Sequence, residues 1–559
     1  MPVTARLACA LVALAAAAGS AGAQELGEDR FFFVSEGSKK ERRETAYDGS
    51  LTSTTFYYRE DGSQAAPLID GGTGPLSASP VDRLFTDLRA QLNARHMGGS
   101  KVDFRFDGRG RLSETKAETA SNPTDMFQLP EVSGQAGFYG DNELELREIY
   151  FKRDGSEYDV TFGRQFVLEL AATKIDGLQL QREVSKEWHY LGFAGLYPSR
   201  ISRDVRDDYP VADNDPDPAT VEEKRIMPVS GGLGASYRFE RAYGAFGAVA
   251  IFPLANDYQT GTLEKPRVFA TANGYWRQGP TVDIFHYTVI DATGAAGAGL
   301  TNLTLGLNWQ PAPSLRTYVQ VNRVDTETLN VVAQTQLEDP DLAAGRPVTA
   351  VQNNIEVQRI AQDSARVGIS VALAQRFEVS TSGAARRRPE LVVTRGDPAD
   401  PTDDIIFPAA QGADITFSAV DRRSLKDMRI GVSATRSFSV GNVNLYRTRS
   451  WVARLNASRE VAGGKGELEG DFTYVQSKDD NRGTACASAA VIADCYGAAE
   501  VQSFTLGGLG NYRFRPDWFV VGSAAVGRQL MSAADAVGML QAQPSILTLN
   551  LFLRLAYRF

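Results

Sequence analysis

Residues 546–559 constrain this chain more than any other stretch. From Leu547 onward the odd positions Leu547, Leu549, Leu551, Leu553, Leu555, Tyr557 and Phe559 are all apolar, while the even positions include Thr548, Asn550, Arg554 and Arg558. A surface helix would space its apolar residues three and four apart; a period of two with one wholly apolar face is a β-strand. Seven consecutive apolar positions on one face need apolar surroundings along the whole strand. The chain then stops on an aromatic ring, Phe559.

The same period recurs from about residue 84 to the end, with Gly and polar clusters between repeats. Leu84, Thr86, Leu88, Ala90, Leu92 and Ala94 share one face, against Asp87, Arg89, Gln91, Asn93 and Arg95 on the other. After His96–Ser100, Val102, Phe104 and Phe106 stand against Asp103, Arg105, Asp107 and Arg109. Further strands are predicted at Leu303–Trp309, Leu315–Val321, Val367–Leu373 and Met428–Ala434. A soluble sandwich also alternates, so loop lengths must decide. Tight turns at 278–280, 310–313, 462–466 and 515–517 alternate with long connections near 60–82, 198–228, 325–363, 388–412 and 478–500. That asymmetry belongs to membrane barrels, whose turns are short on the periplasmic side and whose loops are long outside.

The terminal strand ending Tyr557-Arg558-Phe559 resembles the closing strand of bacterial outer-membrane β-barrels. The resemblance implies that Phe559, with Tyr557, is an assembly signal read by the barrel-assembly machinery. The opposite end agrees. Arg6, an apolar run over 7–18 and Ala21-Gly22-Ala23 read as a secretory signal cleaved after residue 23. Residues 24–50 are expected to form a periplasmic tail or a short lumen insert. Past the signal no apolar run reaches the roughly 20 residues of a membrane helix. The predicted architecture is therefore all-β: one antiparallel transmembrane barrel over 51–559, of about 22 strands, with 18 or 20 as the alternatives. It must close, because hydrocarbon cannot solvate an open sheet edge. Trp188, Trp276, Trp309, Trp451 and Trp518 fall near strand ends, where interfacial girdles form.

Only 12 of the 59 basic residues are Lys, and many Arg fall on polar strand faces. Arg89, Arg95, Arg105, Arg109, Arg316, Arg429, Arg454 and Arg554 would then point into the lumen. A guanidinium keeps its charge and offers a planar fork to carboxylate, sulfate or phosphate. An Arg-lined lumen favours anionic cargo; the competing reading is an Arg-rich composition spent on structural pairs, such as Arg454 with Glu467 or Glu469. The net charge of -9 argues against nucleic acid as a partner.

Acidic residues gather in the long loops, as Asp204, Asp207, Asp208, Asp213, Asp215, Asp217, Glu222 and Glu223. Pro216 and Pro218 interrupt the one stretch that resembles a calcium loop, so these read as a solvated loop without metal. Cys486 and Cys495 share one external loop and, in an oxidising compartment, are expected to form a disulfide. The three histidines, His96, His189 and His286, lie in different segments. No nucleophile elbow, zinc-protease pair or phosphate loop accompanies them, so neither catalysis nor a cofactor is predicted.

Gly163-Arg164-Gln165 and Asp176-Gly177-Leu178 are similar to the G-R-Q and D-G segments of alginate-export-type porins, although the aromatic residues usual before D-G in that family are missing here. The resemblance covers residues 163–178. It implies that Arg164 and Lys174 belong to a basic pore lining, and that periplasmic polysaccharide-export proteins are partners. The sequence thus predicts a channel in the bacterial outer membrane, surrounded by lipid and lipopolysaccharide, carrying anionic solutes or an acidic polysaccharide. A passive general porin and a surface-structural or adhesive barrel are the alternatives.

Overall fold

The computed structural model describes residues 44–61, 81–113, 142–198, 227–253, 266–293, 298–326, 360–373, 376–389, 409–422, 428–439, 448–479, 499–534 and 545–559, with short pieces between 202 and 225, 391 and 407, and 540 and 542. The signal segment and the cysteine pair Cys486 and Cys495 lie outside these residues.

The alternating segments form strands of 9 to 17 residues, from Trp188–Leu196 to Ala499–Arg515. The main sheet holds 23 strands, of which Leu540–Ala542 is a three-residue piece beside Trp518–Ala534. The other 22 each pair antiparallel with their chain neighbours. The first, Ala46–Asp61, pairs with the last, Ile546–Arg558, from Ser50 opposite Arg558 to Asp61 opposite Leu547. No wall edge is left unpaired by this closure. The first strand thus includes Ala46–Ser50, which the sequence placed in the segment before the barrel.

Strand order explains the uneven loops. The turns predicted at 278–280, 310–313, 462–466 and 515–517 all connect an even-numbered strand to the next odd one, and so lie at one end with both termini of the wall. The long connections all lie at the other end, which is the extracellular one.

Register sorts the two faces. Leu553 stands opposite Thr55 and Gly522, Leu88 opposite Ser53 and Gly110, and Phe104 opposite Phe151, while Arg89, Asp107 and Glu148 follow one another on the other face. Residues of the first set are open to the surroundings all around the wall: Leu233 at 75%, Leu506 at 66%, Phe162 at 65% and Leu553 at 54%. Such an apolar exterior on a closed barrel requires hydrocarbon, at about 25 cal/mol per Å² removed from water. The protein is a bacterial outer-membrane β-barrel. Its packed core lies inside the barrel and to one side, around Val167, Leu170 and Ile175.

Candidate functional site

Two constructions fill the described part of the lumen. The first is a ladder of charges on the second, third and fourth strands, Val81–Arg95, Val102–Ser113 and Glu143–Arg153. Arg89 grips Asp107 through Nε at 2.8 Å and Nη2 at 2.6 Å, and Gln91 Nε2 donates to the same carboxylate at 3.0 Å. Arg111 does the same with Asp87, at 2.7 and 3.0 Å. Arg109 reaches Glu143 at 3.0 Å and Glu145 at 3.1 Å, and Arg105 reaches Glu148 at 2.7 Å. A bulge beside Asp107 brings Arg147 toward Glu145 at 3.8 Å. Five arginines and five carboxylates thus alternate in one patch, which is close to neutral as a whole. Bidentate geometry makes these the strong kind of charged hydrogen bond.

The second construction is the hairpin between the fifth and sixth strands, Tyr158–Val167 and Thr173–Glu183. Its neighbours release it: the fourth strand pairs with the fifth only from Ile149 opposite Arg164 to Arg153, and the sixth pairs with the seventh only from Asp176 onward. Beyond those points the tip turns into the lumen. The bend occurs at Gly163 and Gly177, which stand opposite one another. Gly163 has φ of 127°, a conformation side chains disfavour. A Cβ on Gly177 would collide with the backbone of Ala194 and Gly195, so only glycine lets the strands approach there.

The tip has an apolar and a polar face. Val167, Leu170 and Ile175 are fully buried against Leu191, Phe193, Val249, Ile251, Phe269 and Val289 of the wall. Leu170 occupies a recess that the wall leaves open by having glycine at 234 and 247; a Cβ on Gly234 would lie 2.7 Å from its Cδ2. Ala171 and Ala172 turn the tip with positive φ, and Thr173 Oγ1 closes it on the Leu170 carbonyl at 2.6 Å.

On the polar face Arg164 holds Asp176 through two bonds of 2.6 and 2.5 Å and also pairs with Asp208. Its Nη1 donates to the Leu146 carbonyl at 3.1 Å. Lys174 meets Asp208 at 3.2 Å, and Tyr209 Oη donates to Asp176 at 2.7 Å. Asp204 accepts the Leu144 amide at 3.2 Å and the Arg206 amide at 2.8 Å. Asp204 and Asp208 are therefore buried anchors of the connection between Trp188–Leu196 and Val229–Arg238 and not solvated charges, which is where the structure departs from the sequence reading. The Arg206 guanidinium and these amides hold the Asp204 carboxyl down at about 2.

The remaining basic positions are spread around the wall. Arg95 pairs with Asp48 at 2.9 Å, while Arg454 lies 3.7 Å from Glu469 and 3.9 Å from Asp471. Arg429 and Glu460 are 3.9 Å apart and both mostly exposed. Arg316 and Arg554 face the lumen with no carboxylate partner among the described residues. Arg366 does so too, on the strand next to Arg316; it is a position the sequence reading did not single out. Asp87, Asp107, Glu143, Glu145 and Glu148 were also passed over as partners. The parity of Asp87, Asp107, Glu143 and Glu145 on the polar faces was visible, but neither the register that brings them to an Arg nor the bulge that turns Glu148 to the same face was. Among the described residues no cluster of His, Cys, Asp and Glu has the makings of a metal site.

No protein-family model and no curated protein matches the chain. Among solved structures it is similar to OccAB4 of Acinetobacter baumannii, with 8% identity, 93% of this chain and 100% of that one covered, and a TM-score of 0.38. OmpT of Vibrio cholerae, in its trimer form, shares 10% identity over 92% of this chain and 99% of its own, with a TM-score of 0.29. A bacterial polysaccharide outer membrane secretin shares 11% over 67% of this chain and all of its own, with a TM-score of 0.30. Likeness of this size carries over no residue and no cargo.

Proposed function

We propose that this barrel passes small anionic solutes across the outer membrane, without catalysis. The observation that carries this is the pair Arg316 and Arg366, on adjacent strands, turned to the lumen and unmatched by any described carboxylate. They lie roughly half-way around the 22-stranded wall from the ladder, which neutralises itself. Fixed charge without a partner raises the local concentration of its counter-ion and so sets selectivity. Paired charge does this far less.

Size is limited by the hairpin 164–176, because its fully buried Val167, Leu170 and Ile175 hold it inside the barrel. An acidic polysaccharide moving outward with periplasmic partners is the second reading, favoured by the similarity of the G-R-Q and D-G segments. The polymer would meet the same cations but would have to thread past the hairpin.

Planar-bilayer recordings test this. The wild-type channel is expected to prefer anions, and Arg316→Gln with Arg366→Gln should move the reversal potential toward cations, with a shift that shrinks in 1 M salt, where screening acts within about 3 Å. Oligouronates added from the periplasmic side should block the current if polymer is the cargo, and leave it unchanged for small solutes. A cation-selective wild type would refute anion transport, and a barrel with no conductance would favour the surface-structural alternative.

A further inference from the structure

We infer that the lumen holds a site for dianions whose charges stand at opposite ends of a flat ring, aromatic dicarboxylates of the para type. Arg316, Tyr318 and Arg366 build it, on the thirteenth and fourteenth strands, Leu315–Thr326 and Ile360–Leu373. The inference rests on the transport reading above and narrows its cargo.

Register sets the order of the groups. Arg316 stands opposite Ser370, Tyr318 opposite Gly368 and Gln320 opposite Arg366. The alternate positions Val319, Val321, Val367 and Ile369 are exposed on the lipid side, so the groups just named share the lumen face. The thirteenth strand runs outward from the periplasmic turn and the fourteenth returns, so a solute entering from outside meets Arg366, then Tyr318, then Arg316. Arg366 and the Ser370 level of Arg316 are separated by about 13 Å of strand at 3.3 Å per residue.

Tyr318 lies down between the two cations. A Cβ on Gly368 would come within 2.3 Å of its Cε1 and 2.6 Å of its Cζ, so the ring crosses the neighbouring strand in the space a side chain would fill. Only glycine leaves that space. One face of the ring rests on backbone and the other is turned to the passage: Tyr318 is 38% exposed, whereas Gly368 beneath it is buried. An exposed ring face stacks on another flat ring, a contact that an inorganic or aliphatic anion cannot make.

Neither guanidinium has a carboxylate partner among the described residues. Glu378, next to Ser370, is already held by Arg422 and accepts the Ser370 hydroxyl at 2.8 Å. Each guanidinium fork can take one carboxylate bidentately. Cation, ring and cation in line along the passage are complementary to anion, ring and anion. Joining both carboxylates to one ring makes the second contact intramolecular once the first has formed, which favours the dianion over separate monoanions. Carboxylates on adjacent ring carbons would reach one end of the site only.

The test is inhibition of the chloride current of single full-length channels by four carboxylates. Terephthalate has both charges and the ring, phthalate carries its charges side by side, adipate lacks the ring and benzoate lacks one charge. Terephthalate should inhibit at a concentration about tenfold lower than any of the others. Tyr318→Leu should remove its advantage over adipate, and Arg316→Gln its advantage over benzoate. Equal inhibition of the wild type by terephthalate and adipate, or by terephthalate and phthalate, would overturn the assignment. Both comparisons use the wild type, so they decide the matter even where a variant does not fold. Reversal potentials in KCl gradients separate this site from the transport reading: an anion-selective wild type with no preference for terephthalate leaves anion transport standing and removes the dianion site alone.

Discussion

Arg164 shows how far one residue's role can depart from its sequence position. By alternation from Phe162 it belongs on the lipid side, and by its family resemblance it belongs to a pore lining. In the fold its side chain is 7% exposed and bound to two carboxylates and a carbonyl. A basic residue with no charge to spare contributes order before selectivity. Asp208, which serves both Arg164 and Lys174, is the test of this: Asp208→Asn leaves two buried cations short of a partner and should cost about 3 to 5 kcal/mol of local stability. Proteolysis of the connection between the seventh and eighth strands should then become faster, while the rest of the barrel stays resistant. Asp204 adds a pH dependence. Its folded-state value near 2 lies below the unfolded value of about 3.9, so its contribution is present at neutral pH and is lost as pH falls through the folded value. The protection factor of the Leu144 amide, its exchange rate relative to that of an unstructured amide at the same pH, should hold steady from pH 7 to about 4 and fall toward pH 2. None of this was legible in the sequence, because Asp208 and Lys174 are 34 residues apart and nothing in a period of two says which loop folds back.

Among the elements, the strands were legible and the hairpin's direction was not. Leu84–Ala94 and Leu547–Phe559 alternate as the pleat demands, so their faces follow from the pattern alone. Residues 165–175 lose the strict period of two, and their apolar side chains Val167, Leu170 and Ile175 meet the inner face of neighbouring wall strands instead of lipid. The signal lay elsewhere, in Gly232, Gly234 and Gly247: glycines weaken a strand and are kept where something approaches closely, here Phe193 and Leu170. Leu170→Ala would empty that recess at a cost of about 2 to 5 kcal/mol, the range for a fully buried leucine. Only the hairpin depends on this packing. Single channels of the variant should therefore show larger or more frequent conductance fluctuations in a barrel that still migrates as folded. Gly234→Val, which pushes Leu170 out from the other side, should give the same phenotype. Unchanged single-channel traces in both would mean the hairpin is not part of the passage.

For the whole molecule the controlling fact is closure, and the final residues serve it twice. The odd positions of Ile546–Arg558 supply an apolar stripe to lipid, and its backbone seals the first strand to the last but one. Phe559 extends the seal: its amide donates to the Gly49 carbonyl at 3.2 Å and its carbonyl accepts the Gly49 amide at 3.0 Å. Its ring stacks 5.8 Å from Tyr557, which in turn lies 4.7 Å from Trp518. A Cβ on Gly49 would come within 2.6 Å of the Phe559 ring, so glycine there makes room for the aromatic end. Two variants separate what this end does. Leu553→Arg places a charge on the lipid face in the middle of the closing strand and should lower folding free energy in lipid vesicles by about 2 to 4 kcal/mol, whatever the assembly route. Removing Phe559 deletes one pair of backbone bonds and one ring contact at the periplasmic rim, a small loss beside the twelve register pairs from Ser50 to Asp61 that remain. Folding of that truncation into vesicles without assembly factors should be nearly normal, whereas its yield in the outer membrane of cells should fall sharply because the recognised end is gone. Equal losses in vesicles and cells would instead make Phe559 a structural clasp and remove the case for recognition.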